Sequence, residues 1–88
     1  FANRVSVYPV PADNELLVKL PAPSSGAVIC RMIDSFGREI ASDVFTPGEQ
    51  ISTFDTSGLA DGVYILQFEK PDEAVSRKKL LVVHGQGH

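Results

Sequence analysis

Two histidines, one cysteine and a scatter of aspartates are the residues of this chain whose types could do chemistry. His84 and His88 stand four apart, a spacing that on a helix would aim both imidazoles at one metal ion. Gly85 and Gly87 argue against that helix, and two ligands would leave a zinc-type site half built. The segment 84–88 therefore reads as a flexible tail. Cys30 has no histidine near it in sequence, so it reads as a small buried hydrophobe on a strand rather than a reactive thiol. As the only cysteine, it also excludes an intrachain disulfide. Asp13, Asp34, Asp43, Asp55 and Asp61 are dispersed, most of them in turns, where a carboxylate bonds the backbone that follows it. None of these segments has the dense alternating oxygen ligands of a calcium loop. The serines lie in turns or on strands, outside any nucleophile elbow. The chemistry-bearing residues thus point away from an enzyme and from a bound metal or cofactor.

Composition narrows the field further. Eighty-eight residues make one small domain, because domains of about 50–200 residues are the rule and the smallest bury only about 60–65% of their extended-chain surface. With 43% hydrophobic and 22% charged residues, the chain has the means for a packed core and lacks the signature of disorder. The net charge is −3, and the basic residues are scattered apart from Arg77, Lys78 and Lys79. No broad cationic face exists to displace counterions from a phosphate backbone, so nucleic acid is excluded as a partner. The longest apolar run, residues 80–83, is far short of the roughly 20 residues that cross a bilayer, so no membrane insertion is expected. Residue 1 is not followed by the basic and apolar regions of a signal peptide. Phe1 is expected to be a cut or processed end with further chain upstream; if the parent protein is exported, its leader lies there.

The elements that must position these residues are strands. Apolar residues alternate with period two in short runs, broken by turn residues about every 8–12 positions, which is the pattern of an all-β sandwich. The runs are 4–8, 15–20, 27–33, 38–45, 50–55, 62–68 and 79–83. Pro9 and Pro11 remove backbone donors after the first run and place it at a sheet edge. Residues 27–33 are apolar on both faces apart from Arg31 and read as a central strand, while 62–68 is the clearest strand of all and pairs with the last run. The segment from Leu59 to Tyr64 has the spacing of a tyrosine corner, in which a hydroxyl bonds back to backbone a few residues upstream. Seven strands in this order predict an immunoglobulin-like antiparallel β-sandwich over residues 1–83.

Three segments taken together carry a resemblance. They are Tyr8-Pro9-Val10-Pro11, Asp34-Ser35-Phe36-Gly37-Arg38, and the stretch from Asp55 through Ser57, Leu59, Gly62 and Tyr64 to Leu66; the closing strand Lys78-Lys79-Leu80-Leu81-Val82-Val83 makes a fourth. In order and spacing the chain resembles the type IX secretion C-terminal sorting domain (type A) of Bacteroidetes-type secreted proteins, with its Tyr-Pro-Asn-Pro opening, Asp-x-x-Gly-Arg turn, Asp-x-Ser-x-Leu-x-x-Gly-x-Tyr stretch and Lys-rich aliphatic end. Two departures are visible. Val10 stands where the family has Asn, and the chain runs on through residues 84–88, where family members usually stop at the aliphatic strand.

The resemblance implies a non-catalytic address. Such a domain crosses to the periplasm with an upstream passenger, folds, and is recognised by the outer-membrane translocon and shuttle proteins. A sortase then usually removes it, and the passenger stays at the cell surface or is released. On this reading the essential signal is the final strand, Lys78, Lys79, Leu80, Leu81, Val82 and Val83, while Tyr8, Pro9, Pro11, Asp34, Gly37, Arg38, Asp55, Ser57, Leu59, Gly62 and Tyr64 are structural. An alternative keeps the fold and changes the job, making the chain a spacer or carbohydrate-binding module of a surface enzyme. The absence of tryptophan and the presence of only Tyr8 and Tyr64 weigh against a sugar site.

Overall fold

A computed structural model describes residues 4–8, 13–71 and 73–84, and its elements are seven β-strands with no α-helix among the described residues. They are β1 (Ser6–Tyr8), β2 (Glu15–Lys19), β3 (Val28–Ile33), β4 (Glu39–Phe45), β5 (Ile51–Asp55), β6 (Gly62–Glu69) and β7 (Ser76–Val82). No helix is long and apolar enough to cross a membrane among those residues. The last strand starts at Ser76 rather than at residue 79, because Arg77 and Lys78 pair with Gln67 and Leu66 despite their polar character. Pro9, Val10 and Pro11 lie outside the described residues.

Two antiparallel sheets result, one ordered β1-β2-β5 and the other β4-β3-β6-β7. Placing the second strand beside the fifth and the third beside the sixth is the arrangement of an immunoglobulin-like sandwich, the class expected from the sequence, in a topology that periodicity alone does not fix. Each sheet turns one side of its alternation inward. Leu16 and Val18 of β2, Val28, Cys30 and Met32 of β3, Phe54 of β5, Tyr64, Leu66 and Phe68 of β6, and Leu80 and Val82 of β7 meet in one core. Complete burial stabilises side chains of this size by about 1.5–3 kcal/mol each, which is what a domain without a disulfide must rely on. Cys30 is among them, its thiol pushed up to about 12 by burial and then by the charge of Asp43, so it stays a protonated, unreactive packing group.

The hairpin between β3 and β4 shows why its residues are needed. The Asp34 carboxylate accepts the backbone N–H groups of Phe36 and Arg38, both at 2.9 Å, and its second oxygen takes the Arg38 guanidinium at 3.0 Å. Those bonds, led by the Arg38 N–H, hold the Asp34 carboxyl below its ordinary range. Gly37 closes the turn at φ 85°, in the left-handed region where a side chain is strained. On the outer face of the same sheet, Arg31 bridges Glu39 on β4 at 2.7 Å and Glu69 on β6 at 2.6 Å, tying three strands together. The Arg31 bond, then one from Gln67, keeps the Glu69 carboxyl low.

Candidate functional site

The final strand lies at an edge. β7 is hydrogen-bonded to β6 along its whole length, from Gly62↔Val82 to Phe68↔Ser76, and among the described residues no strand lies on its other side in the sheet. Its alternation divides the run from Lys78 to Val83 into two sets. Leu80 and Val82 are fully buried, whereas Arg77, Lys79 and Leu81 face outward, Leu81 being 41% exposed. Lys78 shares the inward side with Leu80 but is only half-buried, paired in register with Leu66. An inward-facing lysine on an edge strand makes casual pairing with another chain costly, a common protection of exposed edges. Val83 follows the strand and is half-buried.

One end of this strand is bound into the crossover that links the two sheets. Asp55 starts the crossover by accepting the Ser57 hydroxyl at 2.6 Å and the Ser57 N–H at 2.9 Å, bonds that lower its carboxyl in that order. Thr56 is completely buried: its N–H donates to the Asn14 carbonyl at 3.0 Å and its hydroxyl to the Asp13 carbonyl at 2.8 Å. Leu59 donates its N–H to the Thr56 carbonyl and packs against the core. Tyr64 completes the corner, its hydroxyl donating to the Ala60 carbonyl at 2.6 Å. Gly62, at φ 154°, adopts a conformation that side chains rarely tolerate, just where the chain enters β6.

His84 is fastened to that corner rather than trailing away from it. Its N–H donates to the Asp61 carboxylate at 3.0 Å, its Nδ1 lies 3.0 Å from the Asp13 carboxylate, and its Nε2 lies 2.5 Å from the Leu59 carbonyl. The Leu59 carbonyl first, then the Asp13 carboxylate, raise the imidazole above its ordinary value of 6.5, with the charges of Asp61 and Asp13 adding to the effect. The remaining tail residues 85–88, including the second histidine of the spacing considered above, lie outside the described residues. Among the described residues no group of three or more His, Cys, Asp or Glu side chains is arranged to hold a metal ion.

The structure brings Asp55, Ser57, Leu59, Gly62 and Tyr64 together in one corner and gathers Asp34, Gly37 and Arg38 in one hairpin. Tyr8, exposed on β1, belongs to neither cluster, and Pro9 and Pro11 are not described. Sequence reasoning missed Thr56, although Ser52, Phe54 and Thr56 continue one inward period of two along β5. It also missed Asp13 and Asp61 as partners of His84, since no local pattern joins residues so far apart in the chain.

Fold and site define a small two-sheet sandwich with a free, lysine-flanked edge strand and no assembled catalytic group among the described residues. The model of the secretion system C-terminal sorting domain family matches residues 6–83, and the chain belongs to that family. It is therefore a C-terminal sorting signal of type IX secretion, of a family that is not catalytic. Membership implies contact with the type IX machinery, an upstream passenger, and export to the cell surface or beyond it. No curated protein matches the chain.

Proposed function

We propose that β7 is the part of this sorting signal that the export machinery reads, through Lys78, Lys79, Leu80, Leu81, Val82 and Val83. The observation that supports this most is the position of β7 at the rim of the four-stranded sheet, with one flank unpaired among the described residues. An extended strand of that kind offers its free N–H and C=O groups to the edge of a receptor sheet, while alternate side chains confer selectivity. Leu80 and Val82 hold the strand to its own core; Lys79 and Leu81 face the receptor; Lys78 discourages pairing with the wrong chain. The domain folds in the periplasm, the outer-membrane translocon and shuttle proteins capture it, and a sortase then removes it, leaving the passenger at the surface or free. The sandwich itself supplies no catalysis in this scheme.

The test is delivery of a periplasmic reporter fused upstream of the chain in a type IX-competent bacterium, compared with a fusion lacking residues 78–88. Surface delivery from the first and none from the second is expected. Equal delivery from both would defeat the assignment to β7, and delivery from neither would favour a spacer role.

A further inference from the structure

We propose that protonated His84 is a clasp that fastens the tip of β7 across the sandwich, closed in acid and released as the pH rises. Both ring nitrogens face acceptors: Nδ1 the carboxylate of Asp13 and Nε2 the carbonyl of Leu59. A neutral imidazole carries one N–H and one lone pair, so either tautomer satisfies one of these acceptors and turns a lone pair toward the other. Only the imidazolium donates to both. The charged groups facing the ring are Asp13, from the segment before β2, and Asp61, from the crossover before β6, whose carboxylate is 4.0 Å from Nε2 and also accepts the His84 N–H. Among the described residues no cation bonds to them, so the site as a whole favours the protonated ring.

The placement gives the clasp its consequence. Asp13 precedes a strand of the three-stranded sheet, whereas His84 follows the outermost strand of the other sheet. Their bond therefore joins the two layers at the tip of β7, where pairing to β6 ends at Gly62↔Val82. A histidine whose folded value is raised contributes its stabilisation fully below the unfolded value and loses it as pH climbs through the folded one. The tip is accordingly held in acid and freed as pH rises through the raised folded value. The bearing of this on export rests on β7 being the strand that is read; the clasp itself does not.

The experiment is NMR on the full chain. The His84 ring should titrate above its value in the urea-unfolded chain. After correction for intrinsic rates, exchange at the amides of Leu81 to His84 should quicken as pH rises, by about tenfold for each unit separating the two values. Asp13→Asn should weaken the pH dependence while keeping the tip protected, because the new amide can donate to Nδ1 of a neutral ring. His84→Gln should leave the tip fast-exchanging at every pH, and its urea midpoint should lose the decline that the parent chain shows as pH rises. A folded His84 titration equal to the unfolded one, or tip exchange indifferent to pH in the parent chain, overturns the clasp. Those readouts need no secretion, so they fail separately from the delivery assay.

Discussion

The two edges of the four-stranded sheet are treated differently. β4 is tied to the opposite layer at one point, where the Ser52 hydroxyl of β5 donates to the Asp43 carboxylate, and to its own sheet by Arg31, which holds Glu39 from the neighbouring strand. β7 has its core residues and its pairing to β6, but among the described residues no side-chain bond joins the strand itself to the three-stranded sheet. Among the described residues its polar link across the layers is His84, two residues beyond its end. One flank is sewn to the other layer from within the strand, and the other just beyond its end. A domain whose work is to be grasped by something else keeps one edge available and uses the rest of its polar groups to make the body around it rigid.

The largest effects should come from the core, where that contrast can be broken. Phe45→Ala on β4 should cost about 3–5 kcal/mol and Leu80→Ala on β7 about 2–5 kcal/mol, read as falls in the urea midpoint. If β7 is the more yielding edge, its neighbours close around the lost volume and the Leu80 value lies low in that range; a value at the top would mean that β7 is as firmly locked as β4. Ser52→Ala should follow at about 0.5–1.5 kcal/mol, since it removes one hydrogen bond from the sewn flank and leaves Asp43 to water. Amide exchange along β7 should not change in that variant.

The smallest effects concern pH, and they should run in opposite senses at the two edges. Asp34, in the turn leading to β4, has its carboxyl lowered, so its contribution is present above the ordinary value of 3.8 and is lost as pH falls through the depressed folded value. Asp34→Asn should flatten the acid limb of the urea midpoint plotted against pH. His84, beside β7, should contribute in the other direction, being lost as pH rises.

Much of this was legible in the sequence, for reasons that differ by region. Period two exposed every strand, and the pairing of the last run with residues 62–68 followed from their shared hydrophobicity. The Asp34 hairpin and the Tyr64 corner were readable because each is local: the residues that bond one another lie within a few positions, so their spacing is their geometry. The start of β7 was misplaced because Ser76, Arg77 and Lys78 look like loop in composition, yet the β6 ladder carries them into the sheet. The fastening of His84 was hidden for the opposite reason. Its partners Asp13, Leu59 and Asp61 come from distant segments that only the completed fold brings together, and Gly85 and Gly87 between two histidines four apart suggested a loose tail. Cys30 was read correctly as packing, since its neighbours alternate in phase with it.

The most direct measurement compares the two edges by exchanging outward residues of similar exposure, Leu81 at 41% and Val44 at 46%. One reporter fusion would carry Lys79→Glu with Leu81→Ser, the other Ser42→Glu with Val44→Ser, with urea midpoints confirming that both remain folded. Export should fail for the β7 pair and proceed normally for the β4 pair. Normal export from the β7 pair, or equal losses from both, would contradict the claim that the free edge of the last strand is what the machinery grasps.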